Sequence, residues 1–279
     1  MTSDPQAQTT SSSAPVPAVI EPAAAPASRP LLRVTDLVRK YGGVKAVDGV
    51  SFEVPPATIV GVIGPNGAGK STVLSVVSGF VPPTAGTIEF DGRDVTHLPM
   101  HRRAQMGMVR TFQIARVFEG LTAIENLLVA VPGQRSITAR GLLQGKRYWR
   151  AEQDEILDRA WEMLQTFGMT DIANELAGRL SGGQRRAVEI MRCLMMRPKL
   201  LLVDEPMAGL NPRLTRHLEE VFAGLRERGL AVVIVEHELD TVERICSRVL
   251  VMAWGRVIAE GAMAELRTRR EVQDAYVVG

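Results

Sequence analysis

The chain has 279 residues, 46% of them hydrophobic and 23% charged, ordinary proportions for a globular protein with its own core. Lys+Arg (33) and Asp+Glu (31) nearly cancel to a net charge of +2, which leaves no concentrated basic footprint and argues against nucleic acid as a partner. The two cysteines, Cys193 and Cys246, lie far apart and outside any CxxC pair, so two reduced thiols are expected rather than a disulfide framework or a zinc site.

Residues 1–30 are built from Ala, Pro, Ser and Thr and are expected to be a disordered tail, because they bury too little apolar surface to offset their ordering entropy. The first basic residue is Arg29 and prolines interrupt the apolar stretch, which does not fit a secretory signal. The longest apolar runs, Leu230 to Val235 and Val249 to Trp254, fall well short of the ~20 residues a spanning helix needs.

From Leu31 the pattern changes. Leu31 to Val38 and Ser51 to Val54 read as strands, and Thr58 to Gly64 reads as a buried strand ending in glycine. Gly86 to Val95 reads as a hairpin turning at Asp91-Gly92. Between them, Gly64-Pro65-Asn66-Gly67-Ala68-Gly69-Lys70-Ser71 fits G-x-x-x-x-G-K-[ST], after a strand and before a helix expected over Lys70 to Gly79. Loop amides and the helix N-terminus suit phosphate oxygens. Lys70 can reach the β- and γ-phosphates and the Ser71 hydroxyl can bind Mg²⁺. The expected nucleotide-binding set runs on through Thr72. A chance glycine-rich turn would not come with both flanking elements.

Leu200-Leu201-Leu202-Val203-Asp204-Glu205 supplies a buried parallel strand with two carboxylates at its C-terminal end, where open α/β sheets bind ligands. Asp204 suits Mg²⁺, and Glu205 suits the water that attacks the γ-phosphate. Leu180-Ser181-Gly182-Gly183-Gln184 then opens a helical run, Arg185 to Arg197, with Ser181 as its N-cap and Ala187, Val188, Ile190, Met191, Leu194 and Met195 on one face.

That pentapeptide matches the LSGGQ signature of ABC ATPases letter for letter, and the resemblance covers the chain from about Leu31 to its end. It implies an α/β fold: a P-loop NTPase core of the ABC type over 31–279, with an antiparallel β subdomain and an inserted α-helical subdomain at about 114–180. By this resemblance Tyr41 stacks on adenine. Gln113 contacts Mg²⁺ and the attacking water, and His237 contacts the γ-phosphate and holds Glu205. Ser181, Gly182, Gly183 and Gln184 face the nucleotide of a partner subunit, so ATP joins two ATPase subunits head-to-tail. Asn211 stands where many relatives carry Asp. Two helices are expected in the insertion, Thr122 to Ala130 and Ala151 to Gly168, near a groove for a membrane subunit. The basic stretch Arg135, Arg140, Lys146, Arg147 and Arg150 faces the permease or the membrane, or is a solvated loop.

Finer details resemble the ATPases of branched-chain (hydrophobic) amino-acid uptake. They are Arg110-Thr111-Phe112-Gln113, Val117-Phe118, Leu121-Thr122, Glu125-Asn126, Ala208 to Pro212, Val235-Glu236-His237 and the end Val272 to Gly279. Members of that subfamily often carry a degenerate signature, and this one is complete. The resemblance implies separate membrane permeases, a second ATPase subunit (a copy or a different chain), a periplasmic or extracellular binding protein, and a place at the cytoplasmic face of the inner membrane. Two alternatives stay open: the same machinery for urea, short amides or lipopolysaccharide, and a soluble ABC ATPase that transports nothing.

Overall fold

A computed structural model describes residues 29–112, 116–134 and 146–278. Most of the expected tail, Gln113, and Arg135 and Arg140 of the basic stretch therefore lie outside the described residues. Arg29 already belongs to the fold, since it pairs with Glu89.

Strand β1 (Leu32–Tyr41) alternates buried Leu32 and Val34 with exposed neighbours, the pattern of a strand with one wet face. It runs past Val38 because Arg39, Lys40 and Tyr41 continue the pairing with β2 (Val44–Val54), two antiparallel partners whose ends are solvated. Strand β3 (Ile59–Ile63) is buried at every position and feeds helix α1 (Lys70–Val77). Strands β4 (Ala85–Phe90) and β5 (Arg93–Asp94) form the expected hairpin. Its turn residues Asp91 and Gly92 have φ of 48° and 74°, the left-handed pair that a tight hairpin turn requires. The antiparallel sheet has the order β2-β1-β4-β5.

Helix α2 (Met100–Gln105) and strand β6 (Met108–Arg110) lead to α3 (Ala123–Leu128), where Thr122 and Glu125 form a capping box. Helix α4 (Lys146–Thr166) begins ahead of Ala151, where Lys146, Arg147 and Arg150 are good helix formers. Helix α5 (Gly182–Met195) starts directly after Ser181. Then come β7 (Leu200–Asp204), α6 (Pro212–Glu227), β8 (Ala231–Val235), α7 (Leu239–Ile245), β9 (Arg248–Ala253), β10 (Arg256–Gly261), α8 (Met263–Leu266) and α9 (Arg270–Val278). The second sheet has the order β10-β9-β3-β8-β7-β6, parallel throughout except for the edge strand β10. Among the described residues no helix is long and apolar enough to cross a membrane.

The parallel sheet is covered on both faces, which is why its strands read as unbroken apolar runs. Leu201, Val203, Val232 and Ile234 pack with the helices α3 to α6. Leu200, Leu202, Val233 and Val235 pack on the other side with α1 and the antiparallel sheet. Both cysteines are free, and burial pushes each thiol up to about 12, which makes them poor nucleophiles near neutral pH.

One buried cation ties the layers together. Arg103 is 1% exposed and donates to Leu98 O, Val76 O, Val77 O and Thr96 O, so it satisfies the last carbonyls of α1. Arg103→Ala strands those carbonyls and is expected to lower stability by about 3 kcal/mol, with Arg103→Lys recovering part of the loss. Urea unfolding measures this, and a loss below ~0.5 kcal/mol contradicts the assignment.

Candidate active site

The phosphate-loop sequence is held at both ends by backbone. A Cβ on Gly64 (φ 145°) would lie 2.0 Å from Met252 O in β9, and one on Gly69 (φ 99°) would lie 2.3 Å from Ala46 O in β2. Only glycine fits either place. A Cβ on Gly67 would meet no atom within 4 Å, so the middle of the loop faces open space. Lys70 folds back over the loop, with Nζ donating to Gly64 O at 2.7 Å and Pro65 O at 2.9 Å. Burial lowers its pKa, against the opposing pull of Glu205 and Asp204.

Beside the loop, the end of β7 brings in the two acids. Asp204 is 1% exposed. It accepts from Ser71 Oγ at 3.2 Å and from the Arg110 guanidinium at 3.3 Å. Glu205 leaves the strand with φ 49°, a left-handed conformation rare for a residue with a side chain, and its N–H donates to Val235 O at 2.9 Å. That corner turns its carboxylate toward the neighbouring strand end, where Oε1 lies 2.7 Å from His237 Nε2. Lys70, Ser71, Asp204, Glu205 and His237 are thus brought together.

Three further residues shape this corner, and none of them was given a role in the site by the sequence. Glu236 follows β8, is buried, and its carboxylate accepts from Met207 N at 2.9 Å and His237 N at 3.3 Å. Burial pushes its carboxyl up to about 7, with a smaller push from Glu205. The signal was an acid closing an otherwise apolar run. Arg186 and Glu189 of α5 form a buried pair at 2.9 Å. Arg186 donates to the carbonyls of Phe112, Asp204 and Glu205, and Glu189 accepts from Phe112 N at 2.9 Å. Their spacing along the helix was visible; their partners were not.

Ser181 caps α5 as expected: its hydroxyl accepts from Gln184 N, and Gln184 Oε1 accepts from Ser181 N at 2.9 Å. Gly183 packs against Leu210, close enough that a Cβ would sit 2.9 Å from Leu210 Cδ2. Ser181, Gly182 and Gly183 line a cavity of about 710 Å³ that reaches Glu205, Ala208 and Asn211. Among the described residues, the side-chain hydrogen bonds of Ser181 and Gln184 stay within this peptide and do not reach the phosphate loop. Asn211 caps α6 by accepting from Leu214 N at 2.8 Å, a role that Asn fills as well as Asp. Tyr41 ends β1, 46% exposed, with the Arg39 guanidinium 4.5 Å from its ring centre. Gln113 lies outside the described residues.

The family model described as ABC transporter matches residues 47–208. The chain belongs to the ABC transporter family. It is a nucleotide-binding ATPase of the ABC class. The high-affinity branched-chain amino acid transport ATP-binding protein BraF of Pseudomonas aeruginosa is 41% identical over 252 residues, covering 90% of this chain and 98% of the relative. The corresponding protein LivG of Escherichia coli K12 is 42% identical over the same share of each chain. Among solved structures, a nucleotide-free ATP-binding cassette from an ABC transporter superposes with a TM-score of 0.77 at 33% identity, covering 88% of this chain and 98% of that one. An ATP-binding cassette in its ADP conformation gives the same TM-score and identity, covering 90% and 100%. The P-loop ABC fold read from the motifs is the fold observed.

The raised carboxyl of Glu236 sets a pH dependence. In the folded ATPase it holds its proton up to about 7, whereas the unfolded chain releases it near the ordinary value of 4.5. Its contribution to stability is therefore complete below pH ~4.5 and lost as pH rises through ~7. Glu236→Gln keeps the neutral shape, so relative to wild type it is expected to gain melting temperature between pH 5 and pH 8. A difference that stays constant across that range contradicts the raised value.

Proposed function

We propose that this ATPase powers the import of branched-chain or chemically related amino acids through separate membrane permeases, at the cytoplasmic face of the cell membrane. The observation that carries the hydrolytic part is the Glu205–His237 pair, 2.7 Å apart and next to the phosphate loop. The cargo class rests on the names of BraF and LivG, each matched over 90% of this chain.

The chemistry is positioning plus electrostatic stabilisation. The amides of residues 64–72 and the Lys70 ammonium bind the phosphate tail, and Lys70 exchanges its two carbonyl acceptors for phosphate oxygens. Tyr41 stacks on adenine. Ser71, Asp204 and Gln113 offer hard oxygen donors, and the Ser71–Asp204 contact suits Mg²⁺, which when bound neutralises charge on the phosphates. Glu205 accepts a hydrogen bond from the attacking water and draws its proton, and His237 fixes that carboxylate while reaching the γ-phosphate. Ser181 already accepts the Gln184 N–H, which leaves its O–H free to donate. With Gly182, Gly183 and Gln184 it faces the nucleotide of a second ATPase subunit, either a copy or a different chain. An external binding protein delivers cargo to the permeases.

The helical insertion at about 114–180 shares in a groove of about 890 Å³ lined by Phe80, Phe112, Val117 and Phe118. The Arg116 and Arg192 guanidinia back the Phe112 and Phe118 rings at 4.4 and 4.7 Å. Phe80 and Phe118 are more than half exposed, 54% and 53%, as suits the docking of an apolar permease helix. This groove favours a membrane-coupled role over the soluble reading.

Tagged ATPase extracted from its native membranes is expected to bring permease subunits with it. Phe118→Glu is expected to lose them, by about tenfold or more, with ATP affinity unchanged. Mass spectrometry of the purified material measures this. Copies of the ATPase with no membrane protein would contradict transport coupling.

A further inference from the structure

We propose that the buried Arg186–Glu189 pair is a positioning unit that links the floor of the apolar groove to the backbone of Glu205. The proposal rests on reading the groove as the permease dock and Glu205 as the residue that handles the attacking water.

Two side chains on one turn of α5 hold two segments far apart in sequence, Phe112 and Asp204-Glu205. Both ends of the residue at the groove floor are gripped: Phe112 N–H donates to Glu189 Oε1 at 2.9 Å, and Phe112 C=O accepts from Arg186. The same guanidinium donates to Asp204 C=O and to Glu205 C=O, the latter at 3.2 Å. Glu189 and Phe112 line the groove, while Arg186 and Glu205 line the cavity that contains Ser181. The pair therefore stands in the wall between the two. Arg186 and Glu189 are only 6% and 4% exposed, so water does not compete for these bonds, and a bond broken there is not replaced.

The Glu205 end is sensitive. Its left-handed corner is fixed by two backbone bonds, N–H to Val235 O and C=O to Arg186, and by the side-chain contact with His237. A displacement of Phe112 must carry the guanidinium with it or break a buried charge-assisted bond. When the guanidinium moves, the Glu205 carbonyl moves, and the carboxylate swings relative to His237. A planar fork can hold Phe112, Asp204 and Glu205 at once; an ammonium on a flexible stem cannot. A pair that only packed the interior would need neither the peptide of Phe112 nor the carbonyl of Glu205.

The full-length ATPase carrying Arg186→Lys or Glu189→Gln tests this, each also in a Glu205→Gln background. Readouts are binding of a fluorescent ATP analogue, steady-state hydrolysis, melting temperature and recovery of permeases from native membranes. The expected result is analogue affinity within about twofold of wild type, permeases still recovered, and kcat lower by about tenfold or more. In the Glu205→Gln background neither substitution is expected to lower the residual rate further, because both act through Glu205. The proposal is overturned if kcat stays within about twofold of wild type, if the losses multiply in the Glu205→Gln background, or if kcat falls only in step with affinity and melting temperature. If Arg186→Lys does not fold, Glu189→Gln decides alone, since it is isosteric and leaves Arg186 its three carbonyls. Failure of the underlying reading looks different: wild type recovers no permease, or Glu205→Gln alone turns over normally.

Discussion

Val62, Asp204 and Val235 stand on one line across three adjacent parallel strands. The active corner depends on this register. One or two residues beyond that line the chain leaves the sheet, and there stand Gly64, Glu205, Glu236 and His237. The strands themselves are buried at every position, so their ends are the first places where polar groups can appear. Open α/β sheets collect ligands at this edge for the same reason. A slip of one residue in β7 would aim Asp204 away from Ser71 and remove the bond between Glu205 N–H and Val235 O.

Charge inside the molecule is arranged so that few groups are left alone. Asp204 meets Arg110 and Ser71, Glu189 meets Arg186 and Phe112 N–H, and Glu236 meets two backbone N–H groups. Buried pairs of this kind add little net stability, since desolvation offsets most of the attraction, but removing one partner is costly. Their effect is geometric. They fix where Glu205 and the neighbouring loops can lie, and leave Lys70 and His237 able to turn toward a nucleotide.

What the sequence made legible was local. The phosphate loop, the Asp91-Gly92 turn, the Ser181 cap and the apolar strands each depend on neighbours in the chain, and each took its expected form. Arg186 and Glu236 could not be read in the same way. Arg186 finds Phe112 74 positions away, and Glu236 finds Met207 29 positions away, contacts that exist only once strands and helix have packed. The same limit applies to Gly64 and Gly69. A phosphate loop calls for glycines, but the reason these two cannot change is the carbonyls of Met252 and Ala46, brought in from β9 and β2. The end of β1 at Tyr41 moved for a plainer reason: polar residues on a solvated edge carry no hydrophobic pattern to mark where an element stops.

The central claim is that the left-handed corner at Glu205 places its carboxylate to act on water once ATP is bound. A single-turnover measurement on Glu205→Gln tests it most directly, with ATP binding followed in the same sample. The account predicts wild-type affinity, a hydrolysis rate lower by about a hundredfold or more, and an ATP-bound species that persists. Hydrolysis at the wild-type rate with intact binding would contradict it.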